Sequence, residues 1–411
     1  MKKYNQKFLK VRNKGQILKL LIEDGPKSRA EISKKLGIVR STVSESVNEM
    51  IKANIINEGK KITGNVGKRP ILICFNKNYF YFIAVVISPY NIDITICNLL
   101  GEIIIENSTS YDEDFKAKDI LNSTVKNINK LMDRLKIDIS EICFMSLGSP
   151  ETFSKKTGKI RWAPYIRDWV GVDLKGFFES KFNTKIIIKD HVKLETMGEQ
   201  WKSFPNVKNM VYMVITRGIG AGIIIDGKVR EGHGGYMGEA SFLPVSSDID
   251  FEEAKNQDKN LGYFESKCDI IRIMNIIKPY LDQKNLYYSL TDFSMVGKLY
   301  NTNPDIKSII DTNIIRTLAL GISTIIIILD PELLVINGEI VDLGDSFLDL
   351  LKSEVKNFIP YKRDIVFSSL RKKSGIYGAI KNGLDYIMEN IQTNSNKFFK
   401  VNLQNDSYLE S

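Results

Sequence analysis

Cysteine and histidine are scarce in this 411-residue chain, which has four of the first (Cys74, Cys97, Cys143, Cys268) and two of the second (His191, His233). The cysteines lie far apart and none forms a CxxC pair, so neither a disulfide framework nor a zinc knuckle is indicated. Two imidazoles leave little metal-ligand capacity, and no metal or cofactor is expected. Long apolar runs are also missing. The longest unbroken aliphatic run, Ile325 to Leu329, falls short of the ~20 residues that span a bilayer. The opening Met-Lys-Lys-Tyr-Asn-Gln lacks the apolar core of a signal peptide. A cytoplasmic protein with no membrane partner is expected.

What is present is ordinary for a globular chain: 43% hydrophobic and 26% charged residues. The length allows two to four domains on a prior of about 100–200 residues each. The net charge of +9 becomes informative once it is located. Residues 1–76 hold 17 Lys and Arg against 6 Asp and Glu, a balance of +11, which leaves 41 against 43 in the remainder. A basic module on a near-neutral body points to a polyanion-binding head, the alternative being a merely solvated basic face.

Within that head, Ile17, Leu18, Leu21 and Ile22 form the stripe of an amphipathic helix over 14–24, which Gly25-Pro26 ends. Ser28-Arg29-Ala30-Glu31 then reads as a capping box, in which hydroxyl and carboxylate satisfy free amides at a helix start. Ile32 and Leu36 give the helix its apolar face, and Gly37 stops it. After a tight turn, Val43, Val47, Met50 and Ile51 mark a third helix. Its opposite face carries Ser41, Ser44, Glu45 and Asn48, with Arg40 and Thr42 at its start. Short polar side chains at the amino end of such a helix can read base edges in a major groove. An ordinary solvated face is the alternative. Ile55-Ile56 and Ile71-Leu72-Ile73 bracket a glycine-rich basic segment that reads as a two-stranded wing. Lys68 and Arg69 at its tip can reach phosphates or a minor groove, unless the segment is a plain flexible loop.

The runs Ser28-Arg29-Ala30-Glu31-Ile32-Ser33, Ser41-Thr42-Val43-Ser44 and Gly67-Lys68-Arg69-Pro70 resemble the head of ROK-family transcriptional repressors, of the xylose and N-acetylglucosamine repressor type. The resemblance extends over nearly the whole chain. It implies an α/β protein with an N-terminal winged helix-turn-helix at 1–76. A two-lobed, actin-like (ribonuclease H-like, duplicated) ROK domain would follow at 77–390, and a polar tail at 391–411. It also implies a homodimer or homotetramer. Read independently, Tyr81–Ile87, Asp93–Asn98 and Ile103–Glu106 form a strand meander, followed by a helix through Ile120, Val125, Ile128 and Leu131 and a strand at Ile142–Leu147. Val211–Ile215, Gly222–Asp226 and Leu333–Ile336 repeat the pattern, as a duplicated fold would.

The resemblance also locates what this chain has changed. Where the family's kinases have an aspartate–glycine phosphate loop, the sequence reads Val85-Val86-Ile87-Ser88-Pro89-Tyr90, and the proline removes a backbone donor. A second phosphate loop survives in outline as Thr216-Arg217-Gly218-Ile219-Gly220-Ala221-Gly222, although its glycines also suit a tight strand turn. Anchored on Gly198-Glu199, the family's catalytic aspartate falls on His191, with Asp190 and Lys193 in place of two asparagines. A one-residue shift would restore Asp190 at the cost of an insertion in the helix. Glu239, in Gly234-Gly235-Tyr236-Met237-Gly238-Glu239, and Glu265, in Gly262-Tyr263-Phe264-Glu265, match the family's sugar-contacting glutamates. Tyr165 replaces the asparagine of a Pro-Asn turn. The family's zinc ligands are replaced by Phe242, Asn256, Asp258 and Tyr263.

The expected protein is a regulator of carbohydrate-utilisation genes, acting on a palindromic double-stranded operator. A catalytically inactive body would sense a sugar or sugar derivative through Asp190, His191, Arg217, Glu239 and Glu265. The competing reading is a ROK sugar kinase with an attached DNA-binding head. A third reading, an anionic effector, draws on Arg217, Lys189 and Lys193.

Overall fold

A computed structural model describes residues 2–61, 70–89, 91–111, 115–154, 156–163, 168–246, 262–286 and 292–400. The head begins with helix α1 (Lys2–Glu23), a twelve-residue extension of the helix expected from the apolar stripe. No proline precedes Gly25, so nothing stops the helix from running back beyond that stripe. Strand β1 (Lys27–Ser28), α2 (Arg29–Leu36), α3 (Arg40–Lys52), β2 (Ile56–Lys61) and β3 (Ile71–Phe75) follow. The strands form an antiparallel sheet in the order β1-β3-β2. The capping box is present as read: Ser28 Oγ accepts from the Glu31 amide, and the Ser28 amide donates to Glu31 Oε2 at 2.8 Å. Gly37 ends α2 at φ 65°, in the left-handed region that favours glycine. Ile17, Leu18, Leu21, Ile32, Val43, Val47 and Met50 are buried together. Burial of each stabilises the head by about 1.5–3 kcal/mol.

The body holds two five-stranded sheets. In the first, β4 (Tyr81–Ser88), β5 (Asn91–Asn98) and β6 (Ile103–Ser110) form an antiparallel meander, and β7 (Ile142–Ser149) and β8 (Lys185–Asp190) add parallel to β4, giving the order β6-β5-β4-β7-β8. In the second, β9 (Met210–Ile215), β10 (Ile219–Ile225) and β11 (Lys228–Arg230) form the meander, and β12 (Leu333–Asn337) and β13 (Asp364–Phe367) run parallel to β9. The order there is β11-β10-β9-β12-β13. Both lobes therefore repeat one topology, third, second, first, fourth and fifth, the duplicated arrangement expected of an actin-like body.

Parallel neighbours need crossovers, and helices supply them. Helix α4 (Ala117–Leu135) leads to β7, and α5 (Leu174–Phe182) leads to β8. Helix α6 (His191–Ser203) passes into the second lobe. There α7 (Tyr263–Cys268), α8 (Ile270–Gln283), α9 (Phe293–Thr302), α10 (Pro304–Ile310), α11 (Arg316–Leu329) and α12 (Asp345–Val355) surround the second sheet. The helical stretch Pro304–Leu329 is long and apolar enough to cross a bilayer by composition, and half of its most apolar window is buried in the protein. Its inner face, including Ile306, Ile310, Leu318, Ile322 and Ile326, belongs to the core of the second lobe.

The last helix, α13 (Ser374–Lys400), returns to the first lobe and packs along α6. Glycine makes the crossing possible: a Cβ at Gly198 would lie 2.0 Å from the Ser374 carbonyl oxygen, and one at Gly378 would lie 1.7 Å from that of Leu194. Beside the crossing, the fully buried Glu199 accepts from Ser368 Oγ (2.6 Å), the Ser369 amide (3.0 Å) and Ser374 Oγ (3.2 Å). Helix α13 continues without a break across residue 390, where a polar tail was expected to begin, and Ile391 is fully buried. Residues 401–411 lie outside the described residues. Ile387 and Ile391 join the same apolar cluster as Ile17, Leu18 and Leu21 of the head, where α1 packs on α13.

Candidate functional site

Two surfaces carry the chemistry read from the sequence. The first is the outer face of α3. Arg40, Ser41, Glu45 and Asn48 are exposed, and Thr42 and Ser44 are half-buried. Val39 precedes the helix without a side-chain cap, so no capping side chain occupies the first amides of α3, which lack intrahelical partners. Glu45 is paired with Lys10 of α1 at 2.6 Å, and this contact raises the lysine pKa. Arg29 was read only as part of the capping run. Here it donates to Asn48 Oδ1 at 3.0 Å and pairs with Glu58 at 3.1 Å, joining α2, α3 and the wing strand. Such exposed pairs exchange readily for phosphate or base edges. Lys68 and Arg69 lie outside the described residues.

The second surface is a cleft between the lobes, about 750 Å³ with its open mouth. Asp190, His191, Arg217, Glu239 and Glu265 all line it, arriving from four separate segments of chain. Asp190 closes β8 and caps α6, accepting from the amides of Val192 (2.9 Å) and Lys193 (3.3 Å). His191 Nδ1 lies 3.2 Å from the Ser149 carbonyl oxygen, so an Nδ1–H donates there and the other ring nitrogen remains for a ligand. Lys193 is buried and donates to the Gly235 carbonyl at 2.8 Å. Lys189 pairs with Glu231 at 2.6 Å. Two of the three cations invoked for an anionic effector are therefore already committed.

Glu239 accepts a hydrogen bond from Thr152 Oγ1 at 2.9 Å. Burial pushes its carboxyl above the ordinary range, the Thr152 hydroxyl counteracts this, and the neighbouring Asp190 charge adds to the rise. The preceding Gly238 sits at φ 99°, and a Cβ there would meet the Ala221 carbonyl oxygen at 1.8 Å, so only glycine lets this loop lie on β10. Glu265 is almost fully buried and accepts from the Ile219 amide at 2.8 Å. Behind it Asp269 caps α8 through the Arg272 amide, and burial lifts its carboxyl to about 7.

The turn between β9 and β10 uses its amides internally. Thr216 donates to the Gly218 carbonyl at 2.9 Å, Gly218 to Thr216 Oγ1 at 3.3 Å, and Ile219 to Glu265. This is the tight-turn use of the glycine-rich segment. Pro89 also lies on the cleft wall. Phe242 is half exposed against Trp162, with ring centroids 5.7 Å apart. Tyr263 opens α7, Cys268 is buried and His233 is exposed. Pro164, Tyr165, Asn256 and Asp258 lie outside the described residues.

Sequence reasoning missed Glu151, Thr152, Trp162 and Ser241, all on the cleft wall. Glu151 and Thr152 lie just beyond β7, which runs two residues past the predicted strand end at Leu147. Their position at a strand end was the available signal, because α/β folds gather ligand sites at the carboxyl ends of strands. Burial pushes the Glu151 carboxyl well above its ordinary range, and the charges of Asp190, Glu239 and Glu265 push it further.

Comparison with known proteins places both surfaces in context. Residues 90–268 match the ROK family, and residues 12–57 match the winged helix-turn-helix DNA-binding domains. The chain is 27% identical over 372 residues to a putative xylose repressor of Caldicellulosiruptor sp. strain Rt8B.4, covering 88% of this chain and 90% of that protein. It is 25% identical to the xylose repressor of Bacillus subtilis strain 168, covering 86% and 88%. To the DNA-binding transcriptional dual regulator NagC of Escherichia coli K12 it is 22% identical, covering 85% and 86%. Among solved structures, a ROK family transcriptional regulator, homolog of the E. coli MLC protein, superposes with a TM-score of 0.75 at 18% identity, covering 96% of this chain and all of that one. A ROK family glucokinase from Streptomyces griseus superposes at 0.59 and 16% identity, covering 74% of this chain and 98% of that one.

Proposed function

We propose that this chain, a winged helix-turn-helix head joined to a ROK-family domain, is a DNA-binding repressor of carbohydrate-utilisation genes whose interlobe cleft senses a sugar or sugar derivative. The observation that carries the reading is the continuous likeness to repressors through both head and body, with the Arg40–Asn48 face of α3 exposed for a major groove. We take residues 1–76 as the DNA-reading unit. A dimer would set two copies of α3 on half-sites one helical turn apart, or a multiple of it, and the operator would be palindromic. Contact with DNA places the protein in the cytoplasm. Footprinting the region upstream of its own operon tests the reading; an even, sequence-blind footprint would refute it.

The glucokinase likeness keeps phosphoryl transfer as the competing reading. Against it stand Pro89 at the first phosphate position and the internally bonded amides of Thr216, Gly218 and Ile219, since transfer needs donors that hold a metal-bound nucleotide. Asp190 is occupied as a helix cap, which suits orientation of α6 better than proton abstraction. Coupled ATP-consumption assays across pentoses and hexoses decide between the two readings, and turnover with any of them would restore the enzyme.

A further inference from the structure

We infer that the effector selected by this cleft is cationic: a sugar, or sugar-like polyol, that carries a free ammonium group. The inference rests on the effector-sensing role proposed for the cleft and names its ligand class. Glu151 is only 8% exposed, and its carboxyl has no hydrogen-bonding or ionic partner among the described residues, although it lines the cleft. Ser241, 2% exposed on the same wall, has a buried hydroxyl that is equally unpartnered. Two buried polar groups that nothing among the described residues satisfies mark where a ligand supplies partners.

The surrounding charges decide what kind of partner. Asp190, Glu239 and Glu265 share the wall with Glu151. At least one oxygen of each is committed: that of Asp190 to the amides of α6, that of Glu239 to Thr152, and that of Glu265 to the Ile219 amide. Of the cations, Lys189 is paired with Glu231 at the edge of the adjoining cavity, while Lys193, tied to the neutral Gly235 carbonyl, keeps its charge and offsets only part of the four carboxyls, acting on Glu239. Arg217 also stands on the wall, with a minor pull on the buried Glu339 carboxyl, and His191 faces the Ser149 carbonyl, so carboxyls still outnumber the full cations on the wall. An anionic ligand would add to the repulsion among four carboxyls. A neutral sugar supplies hydroxyl donors but leaves that repulsion in place. An ammonium relieves it and makes charge-assisted hydrogen bonds to Glu151, while Ser241 Oγ accepts from the same group or donates to a ring hydroxyl. A metal ion is a poorer occupant, because no three His, Cys, Asp or Glu side chains among the described residues are arranged around one point. The Trp162 and Phe242 rings at the cleft offer an apolar face for the sugar ring.

The test is calorimetric titration of the full chain, at near-neutral pH, with D-glucosamine, D-galactosamine and D-mannosamine, each beside its parent hexose and its N-acetyl derivative. At least one free amine is expected to bind about tenfold or more tightly than both its neutral counterparts, as charge-assisted hydrogen bonds outweigh neutral ones. Glu151→Gln should bring that ratio to near one, and Ser241→Ala should weaken binding of the same amine. The inference is overturned if no amine is preferred, if none of the nine compounds binds, or if Glu151→Gln keeps the preference. Operator footprinting of the ligand-free chain is scored separately. A chain that binds its operator but shows no amine preference sinks this inference alone, and an amine-selective chain without operator binding sinks the regulatory reading.

Discussion

Thr152, three residues beyond the end of β7 in the first lobe, donates its hydroxyl to Glu239 in the second lobe at 2.9 Å, a hydrogen bond that crosses the cleft. Any change in cleft opening must lengthen or break it. In the proposed regulator, a ligand would shift operator affinity only as far as it favours one lobe arrangement over the other.

Thr152→Val removes that donor at nearly constant volume. Leaving a buried carboxylate without its partner costs about 1–3 kcal/mol, and thermal unfolding should register the loss. The sign with pH is fixed. The hydroxyl holds the Glu239 carboxyl down against burial, so without it the folded-state pKa rises further above the unfolded one. The variant's deficit should grow as pH rises through the carboxylate range, and Thr152→Ser should restore most of it. A deficit independent of pH would separate the destabilisation from Glu239.

Asp269 predicts a second pH effect. Its carboxyl is raised to about 7 by burial, against an ordinary carboxylate value in the unfolded chain. The folded state therefore binds the extra proton between those values, and this group's contribution to stability falls as pH rises through that window. Asp269→Asn keeps the cap on the Arg272 amide and cannot ionise. Its melting temperature, relative to the parent chain, should improve steadily from mildly acidic pH to above neutrality. Parallel pH profiles for the two proteins would contradict the assignment.

Gly198→Ala drives a methyl group to within 2.0 Å of the Ser374 carbonyl oxygen and must part α6 from α13. Overpacking of this kind costs about 1–3 kcal/mol. Because α6 begins at the cleft and α13 ends on the head, the variant should also lose effector control of operator binding. Full retention of that control in gel-shift titrations would show that the signal takes another route.

Ile391→Ala leaves a cavity where α13 meets the head core, at a cost of about 2–5 kcal/mol if the site cannot collapse. Operator affinity of the ligand-free chain should fall, as should its response to ligand, while ligand affinity at the cleft changes little. Loss of cleft binding in titration calorimetry would mean general unfolding instead.

On the DNA side, Asn48→Ala and Ser44→Ala should alter base preference at individual operator positions, each by about 1–3 kcal/mol where a base contact is lost. Arg69→Ala should weaken binding on every sequence alike and reduce its salt dependence, the behaviour of a phosphate contact. Uniform loss for all three variants across an operator library would remove the base-reading role from α3.

The sequence alone determined the elements whose information is local. The Ser28–Glu31 capping box, the Gly37 stop, the apolar periodicity of α3 and the first strand meander each depend on residues within a few positions of one another and lie where they were read, whereas in the second meander β10 starts three residues earlier than read and β11 was not read. Regional charge likewise marked the basic head before any fold was considered. Family likeness selected Asp190, His191, Arg217, Glu239 and Glu265 one at a time, but not the single cleft they share or the helix cap that occupies Asp190.

Tertiary structure alone decided the rest. No period in the sequence links Glu151 or Ser241 to residues far along the chain, so their burial without partners arises only when two lobes face each other. The polar composition after residue 390 reads as a tail, yet one apolar residue, Ile391, meets the head core and the helix continues. Composition counts side chains in a window. Burial depends on what the rest of the chain brings against them, and here that is α1, nearly the whole length of the protein away in sequence.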